Sequence, residues 1–311
     1  MTPDHDEVGI GAFASAFGDQ ECKPENIPDF DALWRAVSPP GADFATMGCT
    51  TYRRMSGPIT EYVVDAVRRS LQSAGVSPAD VDHIVFATSD PALGRLPAEF
   101  AIDVLGAVGL EDCVPHMLSF QRCCSSITAL RHARQLFADP DVGNVVVVGL
   151  DFTPDDRERI RMYAVFGDAA VSCLLSRRDP GLVRLLSSAI YVDDEGLRGR
   201  DTFVSRQKVA DRDLSAALTA SGRRLDQITK VFPANLHQPL TLFNATAAGL
   251  RVDTLHYTET LAAYAHCGNC DWMINLSDYH EKSGIVPGRT YLAQSSANGF
   301  YACAVLEGSE P

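Results

Sequence analysis

Four consecutive valines, Val145 to Val148, constrain the fold of this chain more than any other stretch. They lie between Asn144 and Gly149 with no polar interruption. A strand with one wetted face alternates apolar and polar residues, whereas a strand covered on both faces is apolar throughout. The run therefore predicts a central strand of a sheet that carries helices on both sides.

Strands and helices alternate along the rest of the chain. Apolar runs predict further strands at 8–17, 84–87, 115–120, 182–192, 228–232, 289–295 and 299–307. Helical spacing predicts helices at 29–37, 59–74, 97–105, 127–137, 211–222, 240–250 and 257–265. This alternation is typical of a layered α/β fold. Because the element order is similar in both halves, we expect a duplicated unit, residues 1–177 and 178–311, packed as one body.

Charge and cysteine content restrict the partners and the compartment. The formal net charge of the 311 residues is −13, which disfavours nucleic acid and anionic membranes as partners. No apolar run is long enough to span a membrane. The acidic start, Met1 to Val8, is unlike a secretory signal, and nine cysteines then predict reduced thiols in a cytoplasmic protein.

A cysteine pair lies at a predicted strand-to-helix turn. The stretch runs from Ser119 to Leu130 and places Cys123 and Cys124 where the helix begins. A helix N-terminus offers free N–H groups and a partial positive charge, which favour a nucleophilic thiolate. The alternative is structural, since free cysteines are usually buried and act as small apolar side chains.

Five short motifs follow one another in an order that resembles a known family. They are Cys123 with Leu130 seven residues later and the valine strand after it, Phe166-Gly-Asp168, Leu236-His237-Gln238, Gly268-Asn269, and Ser296-Ala-Asn-Gly-Phe300. Together they resemble the thiolase superfamily, and within it the β-ketoacyl-acyl-carrier-protein synthase III group. The resemblance covers nearly the whole chain. It implies a thiolase-like duplicated fold of five layers, αβαβα.

The resemblance also implies a set of site residues. Cys123 would become acylated, and Cys124 is its rival if the alignment slips by one residue. His237 and Asn269 would donate hydrogen bonds to a thioester oxygen that becomes an enolate. The backbone N–H groups of Cys123 and Gly299 would form a second oxyanion hole.

Several positions depart from the family pattern. Cys123-Cys124-Ser125 replaces Cys-Ala-Gly, Leu240 and Leu242 replace Asn and Arg, two glycines before the last strand are missing, and Trp34 lacks the Arg-Thr-Gly that follows it in the family. The positions after His237 and Trp34 help to hold coenzyme A in the family, so the acyl carrier stays open. A carrier protein would have to dock on a local basic patch such as Arg223, Arg224 and Lys230.

Two further motifs have structural interpretations. Cys267 and Cys270 have the Cys-x-x-Cys spacing of zinc or redox sites, but no second ligand pair is recognisable, and we expect no metal. Asp168 suits a loop-tying role better than a catalytic one. We expect no permanently bound cofactor, and acyl thioesters of coenzyme A or acyl carrier protein as substrates.

Three hypotheses about function follow. The first is an acyltransferase that condenses acyl-Cys123 with a malonyl-type thioester by decarboxylation, in specialised biosynthesis. In the second, the acyl group passes to an alcohol or amine, with His237 as general base. The third is an inactive partner subunit. The resemblance also implies a homodimer in which central strands of the two subunits pair. The run Val145 to Val148 would suit such a strand, and it would equally suit a strand buried within one subunit.

Overall fold

The computed structural model describes residues 8–38, 41–89, 96–161 and 164–310. The strands are β1 Gly9–Phe17, β2 Gln20–Cys22, β3 Tyr52–Arg54, β4 His83–Ala87, β5 Val114–Leu118, β6 Asn144–Asp151, β7 Ile160–Arg161, β8 Ala164–Val165, β9 Ala169–Ser176, β10 Val183–Val192, β11 Ile228–Phe232, β12 Thr290–Ala297 and β13 Phe300–Gly308. The helices are α1 Phe30–Val37, α2 Ile59–Ala74, α3 Phe100–Val108, α4 Ser125–Leu136, α5 Asp194–Leu197, α6 Phe203–Ser221, α7 Gln238–Ala247, α8 Thr258–Tyr264 and α9 Asp271–Ser283.

The N-terminal half of the main sheet is built around β6. This strand pairs in parallel with β4, where Val145 lies opposite His83, and antiparallel with β9. All eight of its residues are buried, as the valine run predicts. Since β6 is paired on both sides within the chain, it is a strand buried within one subunit and cannot pair across a dimer interface. The edge of this half is β5.

The C-terminal half continues the same sheet. Its strands follow the order β10, β13, β12 and β11, and the pairing of Gly9 with Arg184 joins β1 to β10. Strands β12 and β13 form a hairpin across Asn298 and Gly299. The chain passes from one half to the other between Ser176 and Val183.

Helices cover both faces of each half and produce five layers. Helices α2 and α3 pack on the outer face of the first half, against Val146 and Val148. Helices α4 and α9 lie between the halves and contact Val145 and Val147 on one side and the inner face of β12 and β13 on the other. Helices α6 and α7 cover the outer face of the second half. The αβαβα fold predicted from the resemblance is therefore confirmed.

Helices α6 and α9 differ most from their sequence predictions, and the short helix α5 was not predicted either. Helix α6 begins at Phe203 rather than at 211, because Thr202 and Ser205 form a capping box at its start. Helix α9 was not predicted at all. Its first six residues, Asp271 to Leu276, are all buried, so it has no polar face there to produce an amphipathic pattern. Of the helices within the described ranges, none is both long and apolar enough to cross a membrane.

Candidate active site

Cys123 lies on a sharp turn between β5 and α4. Phe120 and Arg122 in this turn have positive φ angles of 67° and 51°, which bulky residues rarely adopt. Each such residue costs about 1–3 kcal/mol, and strain of this kind is typical of functional turns. A short 3-10 turn, Arg122–Cys124, then leads into α4. The Cys123 side chain lines a cavity at this point.

Cys124 points away from this cavity into the core. It is fully buried between α4 and the second half of the sheet, and its thiol donates to the carbonyl of Ser295 at 3.4 Å. Burial raises the pKa of the Cys124 thiol well above its ordinary value. Of the two neighbouring cysteines, Cys123 is therefore the one that faces the cavity.

His266 is the imidazole that contacts Cys123. Its Nε2 lies 3.3 Å from the Cys123 sulfur, and its Nδ1 hydrogen-bonds the carboxylate of Asp271. Since a carboxylate accepts, Nδ1 carries the hydrogen, and Nε2 is left to receive the thiol proton. Burial lowers the pKa of His266, but Asp271 and Cys123 raise it further, so the net pKa lies well above the ordinary value.

Backbone contacts hold His266 in place. Its N–H donates to the carbonyl of Val165 at 2.9 Å, and its own carbonyl accepts from Gly167 at 3.0 Å. The edge of the Phe166 ring packs on the imidazole, with the ring centroids 4.7 Å apart. Ala265, just before it, has a positive φ of 62°. This turn directs the imidazole toward Cys123.

Asp271 is held by three donors at the start of α9. Besides His266, it accepts from the backbone N–H of Cys267 and of Asn235, each at 2.7 Å. The side chain is 2% exposed. The first turn of a helix also favours a negative charge. Cys123, His266 and Asp271 thus form a nucleophile–base–carboxylate chain with the geometry of a catalytic triad.

His237, predicted as an oxyanion donor, lies elsewhere. It precedes α7, with its Nε2 3.5 Å from the Thr46 hydroxyl and its ring 6.5 Å from that of Trp34, and it is not among the cavity-lining residues. Burial lowers the pKa of His237. The residues that follow β11 into the cavity wall are Pro233 and Ala234. The resemblance placed the histidine of this segment at His237, and in the structure Leu236, not His237, reaches the cavity wall.

Asn269 is also turned away from the cavity. Its amide nitrogen donates to the Asp151 carboxylate at 2.7 Å and to the Leu150 carbonyl at 3.3 Å, and its backbone N–H donates to Asp151 at 2.7 Å. The residue is fully buried, and its side-chain oxygen has no hydrogen-bond partner among the described residues. Its amide therefore ties the loop before α9 to the end of β6 and does not line the cavity.

Gly299 is not the last-loop residue beside Cys123. It occupies the β12–β13 turn at φ 78°, and a side chain there would meet the backbone nitrogen of Leu197 at 2.5 Å. The glycine is thus required by the turn and by close packing. Ser295 takes the position beside Cys123, with its hydroxyl donating to the Cys123 carbonyl at 2.6 Å.

The remaining predicted features have structural surroundings. Asp168 binds Arg159 through both carboxylate oxygens, at 2.7 and 3.0 Å, deep in a loop junction. Cys267 and Cys270 donate to separate backbone carbonyls. Within the described ranges, no group of histidine, cysteine and acidic side chains is arranged to hold a metal.

The basic patch is largely neutralised. Arg223 pairs with Glu307 and Arg224 with Asp226, while Lys230 donates to the carbonyl of Asp253 at 2.8 Å. Trp34 is likewise committed to packing, since it is 6% exposed and its indole N–H points at the Ala42 carbonyl at 3.4 Å. Each of these side chains therefore has a partner within the chain.

A cavity of about 590 Å³ leads to Cys123 and His266. This volume is within the range of small-molecule sites. Its apolar wall comes from the second half of the chain and includes Leu214, Leu236, Leu240, Ala245, Leu250 and Leu255. The cavity therefore suits a substrate with apolar parts that reacts at a buried thiol.

Sequence reasoning missed His266 and Asp271. The one relation visible in the sequence is that His266 lies two residues before, and Asp271 two residues after, the Gly268-Asn269 pair that carries the resemblance, and this spacing does not show that the two side chains meet. A histidine and an aspartate five residues apart across a glycine-containing turn meet only if the turn brings them together. Here Gly268, at φ 60°, makes that turn.

Comparisons with known proteins agree with this fold. Residues 120–194 match the family model of 3-oxoacyl-[acyl-carrier-protein] synthase III. The β-ketoacyl-[acyl-carrier-protein] synthase III of Rhodospirillum rubrum is 27% identical over 273 residues, which are 78% of this chain and 81% of that protein. In sequence the chain is thus similar to synthase III proteins of the thiolase superfamily. It is an enzyme of the acyl-transferring class.

Solved structures are similar over nearly the entire length of this synthase III-like chain. ChlB3, named as an acyltransferase, superposes with a TM-score of 0.82 at 19% identity and 98% coverage of both chains. A variant of OleA from Xanthomonas campestris has a TM-score of 0.81 at 14% identity and covers 96% of this chain and 98% of its own. These likenesses show the fold.

Proposed function

We propose that the protein transfers an acyl group from a thioester, through acyl-Cys123, to an alcohol or amine. The observation that carries the proposal is the contact chain from the Cys123 sulfur through His266 to Asp271. Such a chain supplies a base beside the thiol. Acyl transfer to a hydroxyl or amino group needs this base twice, once for the thiol proton and once for the proton of the acceptor. This is the second of the hypotheses from the sequence, with His266 in the role first assigned to His237.

In the first step the enzyme becomes acylated. His266 Nε2 takes the proton of the Cys123 thiol, and the sulfur attacks the thioester carbonyl. As the tetrahedral intermediate collapses, the bond from carbon to the carrier's sulfur breaks. The imidazolium returns its proton to that sulfur, and the carrier leaves as a thiol.

The second step reverses the proton's path. His266 Nε2 accepts the proton of the acceptor's O–H or N–H group, and the oxygen or nitrogen attacks acyl-Cys123. The carbon–sulfur bond breaks, the ester or amide departs, and the proton returns to the Cys123 sulfur. Asp271 keeps the imidazole in the tautomer that both steps need and stabilises its charged form.

The oxyanion in both steps needs N–H donors. We assign them to the backbone of Cys123 and of the segment Ser295 to Asn298, which lines the cavity beside it. Preorganised donors of this kind are each worth about 3–4 kcal/mol in the transition state.

Decarboxylative condensation is the second candidate, because the curated relatives are named as ketoacyl synthases. That reaction needs donors aimed at an enolate oxygen, the role predicted for His237 and Asn269. Both side chains are engaged outside the cavity. The geometry therefore favours an acceptor that gives up a proton to His266 over a malonyl unit that loses CO2.

We further propose that the acyl donor is a thioester of coenzyme A or of acyl carrier protein, and that the protein acts in the cytoplasm.

We also propose a homodimer. Its support is the edge strand β5, where Val114 and Met117 are 48% and 37% exposed. An unpaired edge with apolar side chains is suited to pairing with a second copy.

The test combines intact-protein mass with product analysis. Wild-type protein and Cys123→Ser are incubated with acyl-CoA and acyl-carrier thioesters, and then with an alcohol, an amine or a malonyl thioester as acceptor. We expect a Cys123-dependent acyl adduct that is discharged by the alcohol or amine as an ester or amide. Discharge by the malonyl thioester alone, with release of CO2, would refute the proposal in favour of condensation. No adduct from any donor would favour the inactive-partner hypothesis.

A further inference from the structure

A second polar group faces the cavity away from the triad. Asp213 lies on α6 and is 4% exposed, and its side chain lines the same cavity as Cys123. Its Oδ1 is buried and has no hydrogen-bond partner among the described residues. The Cys303 thiol donates to the Asp213 backbone carbonyl at 3.6 Å, and its hydrogen bond to the carboxyl group opposes the rise in pKa that burial causes.

The position of Asp213 follows from the face that α6 presents. Phe203, Arg206, Ala210, Asp213 and Leu214 all line the cavity, and their spacing places them on one side of the helix. Around Asp213 this face is otherwise apolar, with Leu214 packed in the core beneath α6. The cation on this face, Arg206, is paired with Asp201.

A buried carboxyl oxygen without a hydrogen-bond partner is unfavourable for the fold. Burial raises the pKa of Asp213 to about 7, and buried polar atoms in folded proteins are nearly always hydrogen-bonded. An apolar residue at this position would suit the neighbouring side chains better. A buried carboxyl group that lines a cavity and has one oxygen without a partner among the described residues has the character of a site that a ligand completes.

We propose that Asp213 binds a hydrogen-bond donor, a hydroxyl or an ammonium group, on a substrate whose other end reacts at Cys123. The inference rests on the proposed acyl transfer and names the chemistry of its substrate. The donor group belongs either to the acyl chain or to the acceptor, and the two sources affect different steps. Tyr301, which also lines the cavity, offers a phenol on the neighbouring strand.

The experiment separates the two steps with matched substrates. Hexanoyl thioester is compared with its 6-hydroxy and 6-amino forms in acylation of Cys123, followed by mass. Discharge of the acyl-enzyme is compared for 1-butanol, 1,4-butanediol and 4-amino-1-butanol. We expect wild type to prefer the donor-bearing member of one series, and Asp213→Asn and Asp213→Leu to lose that preference by roughly 10- to 100-fold, as a hydrogen bond to a charged group allows.

Loss in the acylation series assigns the donor to the acyl chain, and loss in the discharge series assigns it to the acceptor. Rates with plain hexanoyl thioester and 1-butanol should stay near wild type, which keeps this test separate from that of the triad. Asp65→Asn, at an exposed carboxylate on α2, is the matched control.

Thermal unfolding provides the second measurement. Both Asp213 variants should be at least as stable as wild type, because they remove an unpaired buried carboxyl group. Equal rates for every substrate pair in wild type and variants, or a clear loss of thermal stability in both variants, would overturn the proposal.

Discussion

Replacing Asp271 by asparagine tests the triad and keeps the size of the side chain nearly unchanged. The carboxylate accepts from His266 Nδ1 and from the N–H groups of Cys267 and Asn235. An asparagine has one accepting oxygen, and its NH2 group must face at least one of these donors. Each buried donor left without an acceptor costs about 1–3 kcal/mol, so we expect a stability loss of that order.

The effect on activity should be larger than the effect on stability. An amide that donates to Nδ1 leaves the hydrogen on Nε2, the nitrogen that faces Cys123. The base for both transfer steps is then lost, and we expect the acyl-transfer rate to fall by about 10²- to 10⁴-fold. This equals roughly 3–5 kcal/mol of transition-state stabilisation.

The protonation of His266 gives an independent readout. Asp271 is one of the two groups that raise the pKa of His266, while burial lowers it, so that pKa should fall in Asp271→Asn. Nitrogen NMR of labelled histidine between about pH 5 and pH 9 should then show a neutral ring over more of the range. Rates are measured by acyl-adduct formation and discharge over the same range.

A matched control lies on the same helix. Asp278 contacts His256 Nε2 at 2.7 Å outside the cavity, so Asp278→Asn removes a carboxylate from a histidine without touching the triad. It should react at close to the wild-type rate. A well-folded Asp271→Asn protein with the wild-type rate and an unshifted His266 would refute the reasoning.

Three further predictions concern residues that the sequence left ambiguous. Cys123→Ser should abolish the thioester adduct, and Cys124→Ser should keep it, as intact-protein mass would show. Cys124→Ser should also lower the free energy of unfolding by about 1 kcal/mol in thermal melts, because a hydroxyl replaces a thiol in the packed core. His266→Ala should slow acyl transfer by about 10²- to 10⁴-fold, while His237→Ala should retain it; an equal loss in both would contradict the assignment. Because the pKa of Asp213 is raised from 3.8 to about 7, the folded state holds a proton that the unfolded chain releases, and wild-type stability should fall as pH rises across that interval. Asparagine does not titrate, so the free energy of unfolding of Asp213→Asn should gain on that of wild type between about pH 4 and pH 7, by up to about 4 kcal/mol, and the difference should then stay constant. Urea melts that show the same difference at every pH would count against this.

The absence of α9 from the sequence prediction explains why the triad was missed. The residues that begin this helix are buried on every side, so their pattern has no helical period. This stretch was interpreted only through its Cys-x-x-Cys spacing, from which no metal was expected, and through Gly268-Asn269. Once α9 is in place, its first residue is the carboxylate that orients His266.

The sequence by itself determined the layered α/β fold and the cysteine turn. Both depend on local patterns: the valine run of β6 signals burial on both faces, and a strand, a turn and a helix in succession place Cys123 at a helix start. Tertiary structure decided which histidine contacts that cysteine. His266 is 143 residues from Cys123 along the chain, and nothing in its local sequence separates it from His237. Only the packing of the two halves, with α4 and α9 enclosed between them, brings the thiol, the imidazole and the carboxylate together.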